Sequence, residues 1–300
     1  MHVFKIVMKK AVLYKKEKNF LRCLACNHKC VIGEEKFGIC GVRKNIGGVL
    51  YLLTYGKVSS ENIDPIEKKP LYHFLPCTFT YSIGGVGCNF KCPWCQNFEI
   101  SQIKTENEIF GEEKTPKEIV NSALKNKCPS ISYTYNEPTI WAEFVYDISK
   151  IAKKNNLKNI WVTNGYFSEE CLDLFTKEKL IDAMNIDLKS FSKKTYKDYC
   201  GAKLEKVLNS IKKAFENGIH IELTTLIIPK INDSEKKLRK IAKFIFSLDK
   251  KGNIPWHISR FFPMYRFYDE KHFITPLETL RKAEKIGKEE GLKYIHLGNV

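Results

Sequence analysis

Thr78-Phe-Thr-Tyr-Ser-Ile-Gly-Gly-Val-Gly-Cys88-Asn-Phe-Lys-Cys92-Pro-Trp-Cys95 runs a β-branched and aromatic segment into a glycine-rich turn and then into three cysteines. Ile, Thr, Tyr and Phe suit a pleated strand, and glycines so closely spaced mark its end. The cysteines therefore lie just past the carboxyl end of a strand. Thiolates at Cys88, Cys92 and Cys95 can hold three corners of an iron-sulfur cube and leave one iron without a protein ligand. A cluster with four cysteine ligands is coordinatively full and transfers electrons, whereas an open iron can bind a small molecule directly.

Downstream of this stretch, β-rich runs alternate with helical patterns. Strands are expected over 78–85, 130–135, 159–164, 184–189, 220–229 and 256–263, with a further short one over 294–297. Helices are expected over 116–127, 139–155, 168–179, 204–217, 235–249 and 276–290. Such alternation predicts an α/β fold with a parallel sheet wound by crossover helices. Thr115-Pro116-Lys-Glu118 and Thr275-Pro276-Leu-Glu278 read as helix starts, each with a capping oxygen, a proline in the first turn and an early carboxylate. In a parallel barrel, chemistry collects at the carboxyl ends of strands. There stand the cysteine loop, Asn136-Glu137-Pro138, Thr163-Asn164-Gly165, Asp187-Leu-Lys189 and Pro263-Met-Tyr265, all on one rim. Arg260 and Tyr265 are further candidates for contact with substrate or cofactor.

Upstream, Cys23, Cys26, Cys30 and Cys40 place four thiols within eighteen residues, a spacing that can enclose one metal centre. Zinc and a second iron-sulfur cluster both accept four thiolates. The chain divides on this reading into a metal-stapled extension, 1–75, and a barrel, 76–300. Cys77, Cys128, Cys171 and Cys200 stand apart from both groups and read as small buried hydrophobes.

With 43% hydrophobic residues, 300 residues suffice for a full core. No run approaches the roughly 18 apolar residues of a membrane span, and the first ten residues lack a signal peptide's apolar region, so a cytoplasmic protein is expected. Fifty Lys plus Arg against 34 Asp plus Glu give a formal charge of +16. That charge attracts phosphate over long range, but the lysines fall on the solvated faces of amphipathic helices, which leaves nucleic acid the lesser reading.

The three-cysteine motif resembles that of the radical SAM superfamily, which implies a partial (β/α)6 TIM-type barrel. It also implies a 4Fe-4S cluster whose open iron is chelated by S-adenosylmethionine, a low-potential electron donor, and cleavage to a 5′-deoxyadenosyl radical. By the same resemblance Trp94 lies beside the adenine, while Gly84, Gly85 and Gly87 let the backbone approach cluster and cofactor. Asn136 and Glu137 occupy the place of a segment that meets the cofactor's amino group, although Tyr135-Asn136 replaces its two glycines. Thr163 and Asn164 would contact the ribose, and Asp187 and Lys189 would lie near the carboxylate, as in glycyl-radical-enzyme activating enzymes.

The ordered set Cys23-x2-Cys26-x3-Cys30, Gly38-Ile-Cys40-Gly-Val-Arg43, Asp64-Pro-Ile-Glu-Lys-Lys-Pro-Leu-Tyr-His73, the cysteine loop and Tyr133-Thr-Tyr-Asn-Glu-Pro138 resembles the AmmeMemoRadiSam family. That family is akin to pyruvate formate-lyase activating enzymes, and the likeness implies partners of the Memo and AMMECR types. Cys77 departs from it, standing where relatives more often carry glycine. RNA modification by the same radical chemistry, and a non-enzymatic, zinc-stapled basic binding protein, are the competing readings.

Overall fold

The computed structural model describes residues 8–103 and 105–300. Its frame is an eight-stranded sheet. At one edge β1 (Ser60–Pro65) runs antiparallel to β2 (Phe79–Gly84). Parallel pairing then proceeds in chain order through β3 (Ser130–Tyr133), β4 (Lys158–Thr163), β5 (Ala183–Asp187), β6 (His220–Ile227), β7 (Trp256–Arg260) and β8 (Ile295–Gly298). The crossovers carry α1 (Pro116–Lys125), α2 (Ala142–Lys154), α3 (Glu169–Thr176), α4 (Leu204–Glu216), α5 (Glu235–Leu248) and α6 (Leu277–Glu289). Six strand-helix units followed by a last strand make the expected partial (β/α)6 barrel. The antiparallel edge strand β1 was not anticipated from the pattern, and it joins a segment of the amino-terminal seventy-five residues to the barrel's own sheet.

β3, covered on both faces, is buried at every position. The helices bury one stripe each. In α4 that stripe is Leu204, Val207, Ser210, Ile211 and Ala214, at the three-to-four-residue spacing of one helix face. The start of α1 is a reciprocal cap, with the Glu118 amide donating to Thr115 Oγ1 at 3.3 Å and the Thr115 amide to Glu118 Oε2 at 2.7 Å. The second expected cap does not form. Thr275 Oγ1 instead donates to the Ile227 carbonyl at 2.6 Å and accepts from the Phe261 amide at 3.3 Å, tying the end of β6 to the loop after β7. A buried hydroxyl satisfies strand-end groups here in preference to an exposed helix terminus, and Pro276 takes the cap position without a side-chain bond.

The amino-terminal part forms two small antiparallel sheets, one of which carries the hairpin Arg43–Ile46 and Val49–Leu52. Gly47 and Gly48, at φ of 59° and 69°, make its two-residue turn, a conformation that glycine adopts without strain. Arg43 locks this part onto α2. Its guanidinium donates to both carboxylate oxygens of Glu143 at 3.0 and 2.5 Å and to the Ile140 carbonyl at 3.1 Å, with both side chains buried.

The loop after β1 plugs the barrel at the end opposite the cysteines. Ile66 and Leu71 are buried, and the amides of Tyr72 and His73 donate to the Glu222 carboxylate at 3.0 and 2.8 Å. His220 and His257 bond the same carboxylate at 3.0 and 2.7 Å. Burial works against this charge, but the four donors hold the carboxyl down at about 2.

Candidate active site

A cavity of about 670 Å³ opens at the carboxyl ends of the strands, and Cys88, Cys92 and Cys95 all line it. So do Trp94, Asn136, Thr163, Asn164, Asp187 and Lys189, brought together from three strand ends and the cysteine loop. Glu137 does not line it. Its side chain is fully buried, and its carboxylate accepts from Thr163 Oγ1 at 2.8 Å, the Asn164 amide at 2.8 Å, the Thr139 amide at 3.1 Å and the Thr139 hydroxyl. Burial pushes this carboxyl upward against those bonds. Glu137 therefore holds the ends of β3 and β4 together from behind the cavity wall.

The cysteine loop is anchored on every side. The Phe90 amide donates to Cys88 Sγ at 3.4 Å, and Asn164 Nδ2 lies 3.9 Å from the same sulfur. Asn164 also donates to Asn89 Oδ1 at 2.7 Å, and Asn136 Nδ2 to the Gly87 carbonyl at 2.9 Å. Trp94 is buried, with its ring 5.7 Å from that of Tyr199 and 5.5 Å from that of Phe267. The glycines also meet close packing from the protein itself. A Cβ on Gly87, at φ of 93°, would stand 2.6 Å from the Cys40 carbonyl, and one on Gly84 would stand 2.8 Å from the Thr134 carbonyl. Each keeps room for protein backbone, and Gly85 keeps room for the Trp141 ring.

Charge gathers beside the thiols. Lys189 Nζ stands 2.8 Å from Asp187 Oδ2. Burial opposes its charge, but Asp187 and the sulfurs of Cys92 and Cys200 hold the ammonium well above the ordinary lysine value. Burial in turn pushes the thiols of Cys88 and Cys95 up, while Cys92 is raised first by its contact with Cys200 and then by burial. That contact was not foreseen. Cys200, taken from sequence as an isolated hydrophobe, has its Sγ 3.9 Å from Cys92 Sγ. Cys128 and Cys171 are buried as expected, whereas Cys77 is exposed, and its φ of 63° is a conformation that glycine adopts freely.

A second wall escaped the sequence reading. Asp64 and Lys69 pair at 2.8 Å, Tyr135 Oη donates to Asp64 Oδ2 at 2.7 Å, and the Lys69 ammonium lies 4.6 Å from the Tyr135 ring centre. Burial works against the Asp64 charge, but Lys69 and Tyr135 hold its carboxyl at about 2. All three line the cavity. Arg260 does not, and its guanidinium is spent on the Thr275 carbonyl at 2.8 Å. Tyr265 is also absent from the lining and stacks on Phe98 at 4.6 Å.

Cys23, Cys26, Cys30 and Cys40 line a separate enclosed space of about 10 Å³ together with His28, Arg43 and Asn89. Burial raises all four thiols. His28 Nε2 donates to the Asn89 carbonyl at 2.8 Å, so the two cysteine loops meet at Asn89. Its Nδ2 is buried without a hydrogen-bond partner. Among the described residues no three His, Cys, Asp or Glu side chains are already gathered around a single ion position. The donor chemistry nonetheless suits thiolate-ligated metal. Three thiols open on a roomy cavity, as a cluster with one exposed iron requires, and the orphaned amide beside the four-thiol group is a donor that metal-bound sulfur would satisfy.

The chain is 47% identical over 98% of its length to an uncharacterised protein of Methanocaldococcus jannaschii, covering 86% of that protein. It is 29% identical over 67% of its length to a putative glycyl-radical enzyme activating enzyme of the same organism, covering 80% of it. To the pyruvate formate-lyase-activating enzyme of Clostridium pasteurianum it is 26% identical over 57% of its length and 72% of that enzyme. Among solved structures, Streptococcus suis SuiB bound to S-adenosylmethionine shares the fold, with a TM-score of 0.55 and 14% identity over 78% of this chain and 53% of that one. Residues 82–245 match the profile of the Radical SAM superfamily, and the chain belongs to that superfamily, whose members use a 4Fe-4S cluster and S-adenosylmethionine.

Proposed function

We propose that this chain is an activating-enzyme-like radical SAM enzyme that abstracts hydrogen from a protein substrate. The observation that carries the reading is the convergence of Cys88, Cys92 and Cys95 with Asn136, Thr163, Asn164, Asp187 and Lys189 on one cavity of about 670 Å³. The three thiols would hold the 4Fe-4S cluster, which when bound supplies the electron that cleaves S-adenosylmethionine to a 5′-deoxyadenosyl radical. Lys189, kept cationic by Asp187, is placed to bind the cofactor's carboxylate. Trp94, Thr163 and Asn164 offer an apolar face and hydrogen-bonding groups to the nucleoside. Asp187 and Asn136 complete the polar lining, and Glu137 positions the strand ends that carry Asn136, Thr163 and Asn164.

The finer assignment is the AmmeMemoRadiSam family, with Memo-type and AMMECR-type proteins and a low-potential electron donor as partners and the cytoplasm as the location. It is supported by the Asp64-to-His73 stretch, whose Asp64, Lys68, Lys69 and Pro70 line the same cavity. In this reading Cys23, Cys26, Cys30 and Cys40 hold zinc or a second iron-sulfur cluster. Among the described residues no helix is long and apolar enough to cross a membrane. The test is anaerobic reconstitution, reduction with dithionite and chromatography for 5′-deoxyadenosine after adding S-adenosylmethionine, with Cys92→Ala alongside. The wild type is expected to form 5′-deoxyadenosine and the variant none. A wild type that binds only zinc and forms none overturns the proposal in favour of a metal-stapled binding protein.

A further inference from the structure

We infer that Cys200 donates a sulfur hydrogen bond to the cluster ligand Cys92 and thereby sets the reduction potential of the centre. The inference rests on the cluster reading above. Its starting point is the Sγ–Sγ separation of 3.9 Å between two buried cysteines 108 residues apart, within reach of an S–H···S bond.

Three observations assign Cys200 to this role and exclude it as a fourth ligand or simple filler. First, Cys200 is fully buried and does not line the cavity, while Cys92 does. Iron bound from the cavity side would leave the Cys92–Cys200 contact intact on the protein side. Second, the position of Cys200 is fixed by the cysteine loop itself. Its carbonyl accepts from the Lys91 amide, inside the three-cysteine motif, at 3.3 Å. Gly201, at φ of 70°, turns the chain immediately after it. Third, the same short segment supports the charge beside the thiols, because Tyr196 Oη accepts from the Lys189 amide at 3.0 Å. Phe90 and Trp94 of the cysteine loop pack on its Tyr196 and Tyr199 rings. One turn of chain thus braces the loop, the lysine and the sulfur.

A thiolate bound to iron carries excess negative charge, and that charge grows when the cluster takes an electron. A neutral thiol aimed at it therefore stabilises the reduced state more than the oxidised state. Hydrogen bonds to ligand sulfurs are among the protein's main levers on iron-sulfur potentials. Cys200 is a positioning and tuning residue in this sense, acting through Cys92.

The experiment is a redox titration of the anaerobically reconstituted full-length protein, followed by electron paramagnetic resonance, on wild type, Cys200→Ala and Cys200→Ser. Iron and sulfide are assayed on each sample. In Cys200→Ala, at unchanged iron content, the reduced-to-oxidised ratio at a fixed potential is expected to fall about tenfold. That corresponds to a midpoint about 59 mV more negative for one electron. Cys200→Ser, whose hydroxyl still donates, should stay at or above the wild-type midpoint. A Cys200→Ala protein with full iron and the wild-type midpoint overturns the inference and leaves Cys200 a packing residue. If the alanine variant assembles no cluster, the serine variant decides, since a midpoint well below wild type or the absence of a cluster there also overturns it. A wild type that assembles no 4Fe-4S cluster removes the radical SAM reading itself, and that failure is seen before any variant is compared.

Discussion

Glu137 shows how a single side chain can be legible as important and still be misread in direction. From sequence, a carboxylate after a strand end could face the cofactor or the wall, because nothing in Asn136-Glu137-Pro138 says which way the chain turns. In the fold it faces four donors from Thr139, Thr163 and Asn164. Glu137→Gln turns one acceptor oxygen into an N–H facing those donors, so it should lower stability by about 1–3 kcal/mol, read by chemical denaturation. If the carboxylate instead acted on the cofactor, the variant would weaken S-adenosylmethionine binding and leave the denaturation midpoint in place. Cys88, Cys92 and Cys95 were legible as a candidate ligand set because the motif is local and its spacing alone defines it, and the fold puts all three on one cavity. Cys200 was not, since a lone cysteine reads as a hydrophobe until the fold brings a partner from far along the chain.

At the scale of elements, pattern and composition sufficed for the six strand-helix units, since short β-rich runs buried on both faces alternate with helices that bury a residue every three to four positions. It failed at β1, where Ser60-Glu-Asn-Ile-Asp-Pro65 has the polar composition of an edge strand and no alternation to reveal it. The plug that follows β1 is held by Glu222, and this gives a pH signature. A carboxyl kept at about 2, against 4.5 when exposed, contributes stability that is complete above 4.5 and is lost as pH falls through about 2. The contribution is about 3 kcal/mol, and Glu222→Gln should abolish that part of the acid-unfolding profile while lowering stability at neutral pH. Gly87 makes a second element-level prediction. Gly87→Ala drives a methyl group to 2.6 Å from the Cys40 carbonyl and forces a strained φ. The two cysteine loops should separate, with iron content falling after reconstitution.

For the molecule as a whole, the question is what makes the amino-terminal part and the barrel one body. Composition showed a cysteine-rich extension and an α/β remainder, but the contact between them is long-range and was invisible in either part. Arg43 and Glu143 are its buried ion pair, joined by two hydrogen bonds. Glu143→Ala leaves the guanidinium buried without its counter-charge and should cost about 3–5 kcal/mol. Limited proteolysis should then cut ahead of β1 in the variant under conditions that leave the wild type whole. If the four amino-terminal thiols hold metal as proposed, a chelator should have a similar though smaller effect on the same cleavage, because two small sheets offer little core of their own.

The antiparallel pairing of β1 with β2 also bears on how the chain is born. Ser60–Pro65 leaves the ribosome before Phe79–Gly84, and the two pair across the loop of residues 66–78, so the first barrel strand can be covered on one side soon after it emerges. Synthesis then adds strands on the other side alone, in chain order, to Ile295–Gly298. A nascent parallel sheet with two bare edges could pair with a neighbouring chain from either side, whereas this one grows with a single open edge throughout translation.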